Sequence, residues 1–285
     1  MNVTVTGASG FIGGRLVAAL IQQGHTVRAL RRADWDTLAG EPPAEVLENA
    51  DAVVHLAGEP VAQRWTVEAK KKIAGSRLQG TRNLVTALST LSRRPAVLVC
   101  ASAIGIYGDR GDEVITEMSP VGTGFLADLC REWEKQASLA EALGIRVVRL
   151  RTGIVLGADG GALQKMLPPF KAFVGGKLGS GRQWMSWIHV DDLVGMILHA
   201  MQKTVSGPLN GTAPNPLRNT AFTAELASAL HRPALFPAPA FALKLMFGEM
   251  SEILLGSQRV LPKAAEAAGF RFTFPELAPA LRSLL

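Results

Sequence analysis

Three glycines, Gly7, Gly10 and Gly13, recur every third residue in TGASGFIGG, directly behind the alternating run NVTVT and ahead of an apolar pattern at Ile12, Leu16, Ala19 and Leu20. The spacing predicts a strand, a tight turn and a helix. Gly7 permits the turn, Gly10 lets backbone approach a pyrophosphate, and Gly13 lets the helix pack close, so that phosphate oxygens meet free N–H groups at a helix N-terminus. Ser9, Phe11 and Ile12 lie on the same turn and are assigned to the cofactor with the glycines. A glycine triplet alone is weak, but here the strand and helix it needs both flank it.

The next strand, in HTVRALRR, ends on Arg31 and Arg32. An acidic residue there would accept from the ribose 2′-hydroxyl of NAD, whereas guanidinium groups suit a 2′-phosphate and point to NADP(H). Two solvated surface arginines are the alternative reading.

The elements that must hold these groups alternate. DAVVHLAG and PAVLVCAS read as strands separated by a helix over about residues 66–91, followed by a helix over about 124–143 and the strand IRVVRLRTG. Strands alternating with helices predict an α/β fold with a Rossmann-type, doubly wound parallel sheet. Ligands of such sheets lie beyond the strand carboxyl ends, which brings Leu56, Ala57 and Gly58, then Ala101, Ser102 and Ala103, then Thr152, Gly153 and Ile154 to the cofactor. Each is also a plausible plain loop.

Beyond residue 157 the chain is richer in Pro, Gly and aromatic residues. Residues 1–158, with 189–205 returning, are expected to form the nucleotide-binding domain, and 159–188 with 206–285 a smaller, mainly helical substrate lobe. SGPLNGTAPNP (206–216) reads as turns, with helices over 220–230, 240–255 and 263–268. Phe241, Met246, Phe247 and Met250 suit either a core or a subunit interface, so a monomer and a homodimer both remain open. His189 and Asp191 in HVDD form only a lone HxD, with Asp191 the better N-cap of the following helix, and no metal is expected.

Composition narrows the partners. The chain has 285 residues, 48% of them hydrophobic and 19% charged, with a net charge of +6. Its basic residues are scattered and not interleaved with aromatic stacking residues, which argues against nucleic acid. FALKLMFGEMSEILL carries Lys244, Glu249 and Glu252, and no stretch reaches the roughly 18 apolar residues of a membrane span. Cys100 and Cys130 show neither a disulfide framework nor a CxxC spacing, and MNVTVTG has no secretory pattern, so a cytoplasmic location is expected.

TGASGFIG, DAVVHLAG, SRLQGTRNLV, the stretch ending IYGD, VVRLRTGIVLG and WIHVDDLV together resemble the extended short-chain dehydrogenase/reductase family, its sugar-nucleotide epimerase and dehydratase group, over residues 1–205. LAGEP, RWT, RTGIVL with DGGAL and KMLPPF, GSGRQWMSWIHVDD, RPA and QRVLPKAAEAAGF narrow the resemblance to an atypical subgroup of epimerase-family proteins with a small C-terminal domain of unknown function. The resemblance implies an NADP-binding fold. One departure is that only about twenty residues separate the second strand from DAVVHL, too few for the family's usual strand with an acidic adenine contact.

Hydride transfer in the wider family uses a Tyr and, four residues on, a Lys that lowers the phenol pKa. Tyr107 is the single tyrosine of this chain and Gly111 stands four residues after it, so no YxxxK pair exists. The pair's positions fall near Leu126 and Cys130 in TGFLADLCREWE. Leu126, Leu129, Cys130, Trp133 and Ala137 share one helical face, so Cys130 is either a small buried hydrophobe or a thiol facing the nicotinamide without the lysine's fixed charge. The resemblance also places Ser102 at or beside a catalytic Ser/Thr, Arg77 where the wider family has Asn, in reach of substrate or cofactor oxygens, and Tyr107 on the border of the substrate cleft. A strand-end cap, a surface salt bridge and loop packing are the respective alternatives. Glu59 in LAGEP, Arg182 and Trp184 fall to the substrate, the last two as an anion contact and a stacking surface for a phosphorylated or nucleotide-linked ligand. The expected activity is an NADP(H)-dependent oxidoreductase or epimerase-like one on a small polar substrate; the other reading is a non-catalytic NADP(H)-binding sensor or regulator.

Overall fold

A parallel strand with apolar side chains on both faces is stable only between two layers of helix. Such strands dominate the first half of the computed structural model, which describes residues 1–285. β1 (Asn2–Thr6) runs through the glycine turn into α1 (Phe11–Gln22) and β2 (Thr26–Leu30), and a single turn, α2 (Ala44–Leu47), precedes β3 (Ala52–His55). Then come α3 (Val67–Thr90), β4 (Val97–Ala103), β5 (Val114–Ile115), α4 (Phe125–Ser138), β6 (Arg146–Thr152) and β7 (Ile154–Gly157). The second half holds α5 (Gly161–Lys171), β8 (Trp184–Met185), β9 (Trp187–His189), α6 (Val190–Gln202), β10 (Gly207–Gly211), β11 (Leu217–Arg218) and α7 (Asn219–Leu230). It closes with α8 (Ala240–Phe247), α9 (Ser251–Leu255), β12 (Arg259–Val260), α10 (Lys263–Ala267) and α11 (Leu277–Leu284).

The main sheet has six strands in the order β2-β1-β3-β4-β6-β10, all neighbours parallel. From β1 the chain steps one way to β2, crosses back to β3 and continues the other way, so the order reverses between β1 and β3. This is the doubly wound Rossmann-type sheet the alternation predicts. β2 is an edge strand, as the short segment before DAVVHL requires, and that segment packs Trp35 and Leu47 against Leu30. Strand alternation divides the core: Val54, Val97 and Val99 meet Leu16, Leu20, Leu193 and Ile197 of α1 and α6, while Val53 and Leu98 meet Leu84, Leu88, Trp133 and Ala137 of α3 and α4. Each such leucine contributes roughly 1.5–3 kcal/mol by leaving water. α3 starts where expected because Thr66 Oγ1 accepts from the Ala69 N–H at 3.1 Å.

A third core joins Leu156, Leu163, Phe170, Trp187 and Phe222 to Leu277, Ala280 and Leu281 of α11. The expected boundary of this lobe needs correction. Residues 207–211 are not turns but strand β10, paired with β6 from Gly207↔Val148 to Gly211↔Thr152, so the return to the main sheet extends past residue 205. As an edge strand, β10 tolerates Pro208, which has no N–H to donate. The N-cap of α6 is His189, whose Nδ1 accepts from the Asp191 N–H at 3.1 Å, and Asp191 lies in the first turn. Met250 is buried, whereas Phe241, Leu245 and Met246 of α8 are exposed. No helix is long and apolar enough to cross a membrane.

At the end of β3, His55 is fully buried between two hydroxyls, Thr6 Oγ1 at 2.7 Å from Nδ1 and Thr81 Oγ1 at 3.2 Å from Nε2. Burial first, and the Arg77 charge second, depress its pKa from 6.5 to about 4. The unfolded chain takes up this proton near the ordinary value while the folded chain resists it, so between the two the unfolded state binds more protons and stability falls as pH falls. The expected loss from pH 7 to pH 5 is about 2 kcal/mol. Urea titrations at both pH values check it, and His55→Asn should flatten the slope relative to the parent chain.

Candidate functional site

The glycine turn is shaped by contact. Gly7 has φ +69°, and a Cβ there would lie 2.8 Å from the Ala57 nitrogen, so the chain leaving β3 touches the turn backbone to backbone. A Cβ on Gly13 would lie 2.2 Å from the Gly7 carbonyl oxygen, which is how closely α1 abuts β1. Gly10 is the N-cap and offers no side chain, leaving the N–H groups of Phe11, Ile12 and Gly13 free for phosphate oxygens. A cavity of about 200 Å³ opens at the reversal of strand order, lined by Gly10, Ile12, Leu56, Ala101, Leu150 and Thr152 among others. Ser9 and Gly10 also border an open hollow beside Arg15, which pairs with Asp159 at 2.6 Å and Asp191 at 3.3 Å.

Arg31 and Arg32 follow β2 directly and are exposed. The Arg31 guanidinium has no acceptor in the protein; its backbone N–H donates to Asp34 Oδ2 at 2.8 Å. Arg32 Nη1 lies 3.2 Å from Glu59 Oε2, and Arg32 stays 77% exposed. Glu59, expected to face substrate, has its carboxylate turned toward Arg32 at the end of β2. The N–H groups of Gly153 and Ile154 are already donated to Gly211 and Ser186 at 3.0 and 2.8 Å, so Thr152 rather than these two lines the cavity. The Ala57 N–H donates to Thr6 Oγ1 at 3.3 Å, and Gly58 packs against the Arg77 guanidinium.

Beneath the cavity floor lies a buried polar chain. Ser102 on β4 is in register with Arg151 on β6, and Glu134 of α4 reaches both. Ser102 Oγ donates to Glu134 Oε1 at 2.7 Å, while Arg151 Nε and Nη2 donate to its two oxygens at 2.8 Å each. Arg151 Nη1 donates to Tyr107 Oη at 2.8 Å, and Tyr107 donates to Asn210 Oδ1 at 2.7 Å. Burial is the largest single influence and opposes the Arg151 charge, but the hydrogen bonds and charge of Glu134, together with Tyr107, outweigh it and raise its pKa. Burial also raises the Tyr107 pKa, with Arg151 opposing. Tyr107 was expected at the cleft border. It is instead sealed in the core at 0% exposure, with its proton and its oxygen both committed, so it cannot meet a substrate.

Cys130 stands one helical turn before Glu134. Burial pushes its thiol up to about 11, Glu134 adds to this, and Arg77 opposes it. Leu126, near the missing tyrosine's position, packs on Gly105. Arg77 Nη1 donates to the Glu59 and Ile73 carbonyls at 2.9 and 3.1 Å, and the guanidinium lies 5.1 Å from the centre of the Trp133 ring. Its Nε and Nη2 have no acceptor in the protein and are not sealed from solvent. Arg77 is thus neither a surface ion pair nor committed: it is the one charge of the centre with donors to spare.

Comparison with known proteins places this arrangement. The family model described as NAD dependent epimerase/dehydratase matches residues 3–212. The chain belongs to that family. A domain of unknown function matches residues 238–284. An Arabidopsis thaliana protein, "Epimerase family protein SDR39U1 homolog, chloroplastic", is 44% identical over 100% of this chain and 87% of its own length. The Bacillus subtilis epimerase family protein YfhF is 40% identical over 100% and 98%. The crystal structure of human epimerase family protein SDR39U1 with NADPH superposes with TM-score 0.91 at 34% identity, covering 100% of this chain and 99% of that one. A Bacillus cereus UDP-glucuronic acid 4-epimerase shares the fold, with TM-score 0.79 at 18% identity.

In this centre, sequence reasoning missed Glu134 and Arg151. Glu134 sits in REWEK, which reads as a solvated charged helix face, and only its i+4 spacing from Cys130 hints at an inward direction. The other missed feature is at Trp184, whose indole is not a free stacking surface: Arg218 and Arg259 lie over the ring and Nε1 donates to Asp112. Arg182 is exposed. No group of three or more His, Cys, Asp or Glu converges, and His189 stacks on Phe274.

Removing Glu134 would leave Arg151 charged and buried. Glu134→Ala is expected to cost about 3–5 kcal/mol in urea unfolding, with Glu134→Gln milder because it keeps an acceptor. The raised thiol pKa gives a second expectation. Fewer than roughly one Cys130 side chain in a hundred is ionised at pH 8, so native protein should resist iodoacetamide at Cys130 until it unfolds, as mass spectrometry of the alkylated chain would report.

Proposed function

We propose that the chain binds NADP(H) and uses it for hydride chemistry on a small polar substrate, as an oxidoreductase or epimerase-like enzyme with an atypical centre. What supports the cofactor is one juxtaposition: a glycine turn with free N–H groups at the strand-order reversal, and two exposed arginines where an acidic residue would select NAD. NADPH in the crystal structure of the human relative agrees with this reading. Bound there, the cofactor supplies or accepts a hydride.

The protein's own groups then do little acid–base work. With its proton given to Glu134, Ser102 can only accept from a substrate hydroxyl. Cys130 stays protonated at neutral pH. Arg77, with two nitrogens uncommitted, stabilises negative charge developing on a substrate oxygen, and solvent supplies or takes the proton. A second reading, an NADP(H) sensor without turnover, draws on the same network: its hydroxyls and carboxylate are bound to one another.

A fluorescence titration with NADPH and NADH decides the cofactor. Changing Arg31 and Arg32 together to Ala should weaken NADPH about tenfold or more, by loss of charge-assisted phosphate contacts, and leave NADH nearly unchanged. If neither nucleotide binds, both readings fail. A screen of carbonyl compounds for NADPH oxidation then separates them: turnover abolished in Arg77→Gln supports the enzyme, and a complete absence of turnover supports the sensor.

A further inference from the structure

A helix that is apolar on every side needs cover on every side. α8, with the sequence AFALKLMF, carries a single charge, Lys244. Its inward face is covered: Leu243 is buried, and Phe247 packs with Trp65 and Met250. Its outward face is bare, for Phe241 and Leu245, one turn apart on that face, are 75% and 79% exposed. The stretch before α8 is bare as well, with Leu235 and Phe236 at 74% and 58%. Backbone bonds bind this stretch to the one that follows α5. The Phe236 N–H donates to the Gly175 carbonyl at 3.2 Å, the Ala238 N–H to the Lys177 carbonyl at 2.9 Å, and the Gly179 N–H to the Ala238 carbonyl at 2.8 Å. A Cβ on Gly179 would stand 3.7 Å from the Ala240 Cβ, so the second stretch reaches the start of α8. On it Phe173 and Val174 are again more than half exposed. Together these six side chains leave apolar surface on the order of 600 Å² bare, the upper end for a monomer.

Charge selects what covers it. Lys171 and Lys177 stand on the first of these stretches, Arg232 and Lys244 on the second, all exposed and none in an ion pair. No acidic residue occurs between Asp159 and Asp191 or between Glu225 and Glu249. The Arg232 guanidinium carbon lies 4.6 Å from the centre of the Phe173 ring, so a cation and an apolar side chain share one place. A second copy of the same face would set cation against cation. A peptide strand finds no edge here, because Pro237 and Pro239 have no N–H and those of Phe236 and Ala238 are already donated. An anionic bilayer meets both demands: its acyl boundary takes phenylalanine and leucine, and its headgroups take lysine and arginine. We propose that α8 and the two stretches before it, around Phe173 and Phe236, seat this chain on an anionic lipid surface. Nothing spans the bilayer, since eight residues of helix rise only about 12 Å against a hydrocarbon core of roughly 30 Å. The inference does not depend on the function proposed above.

The test sediments the whole chain with large vesicles, either of phosphatidylcholine alone or of phosphatidylcholine and phosphatidylglycerol in equal parts, at about 0.1 M salt. Partition to the anionic vesicles is expected to exceed that to the neutral ones about tenfold or more. Changing Phe241→Ser together with Leu245→Ser should weaken it by a similar factor and leave the thermal midpoint near the parent's, because both side chains are exposed. Changing Lys177→Gln, Arg232→Gln and Lys244→Gln together should weaken partition to the anionic vesicles and leave the neutral baseline alone. If the serine pair fails to fold, the charge variant still decides. No partition to anionic vesicles, equal partition to both kinds, or partition indifferent to these changes overturns the proposal. So does a dimer in sedimentation velocity that the serine pair abolishes, since the face would then belong to a second copy.

Discussion

A carboxylate and a guanidinium in bidentate contact where water barely reaches must be held in register by everything around them. Glu134 and Arg151 are each only 8% exposed and bond twice at 2.8 Å. Desolvating two such ions costs several kcal/mol each and is offset only when geometry and further hydrogen bonds are nearly complete. Here they are: Ser102 supplies a third bond to Glu134, and Tyr107 takes the outer nitrogen of Arg151. The pair therefore sets the rotation of α4 against the sheet, and with it the direction in which Cys130 faces. Through Tyr107 and Asn210, whose side-chain amide donates to the Leu261 carbonyl at 3.0 Å, it reaches the segment leading into α10.

The same pair explains what the centre does not do. A tyrosine–lysine dyad works because a proton sits on a group that a nearby charge makes ready to release it. In this chain the nearby charges face each other instead, and the Ser102 proton points away from any substrate. What remains beside the cavity is electrostatic. Arg77 is desolvated enough for its pKa to fall and for its field to act through little water, yet Nε and Nη2 are unclaimed. A fixed cation of that kind suits the oxyanion role proposed for Arg77, which needs no proton exchange.

The features legible in the sequence are those written in local spacing. The glycine turn and Arg31 and Arg32 at a strand end each depend on residues within a few positions of one another, and the alternation of strands with helices, the one over about residues 66–91 included, yields the sheet. Glu134 was not legible, because what buries it is Arg151, seventeen residues away on another element. Trp184 looked free for the same reason: Arg218 and Arg259 reach it only through strand pairing. GPLNG carries turn residues, and only the partner strand β6 makes it a strand. Tyr107 drew notice as the sole tyrosine, but rarity says nothing of direction, and its hydroxyl was needed to complete a buried bond.

Between floor and rim the polar contacts differ in kind. Those of the floor are buried and mutually satisfied, so parting them strands charges in the core. The exposed pairs, Arg15 with Asp159 at the open hollow and Lys70 of α3 with Glu249, join elements of the two halves of the chain through side chains between 29% and 67% exposed. Exposed pairs of this sort contribute about 0–1 kcal/mol each and weaken with salt. The C-terminal part is therefore pinned to the main sheet where the Asn210 side-chain amide meets the Leu261 carbonyl, and only lightly latched beside Arg15. The register of Ser102 with Arg151 is fixed instead by bonds to Glu134 that none of these exposed pairs shares.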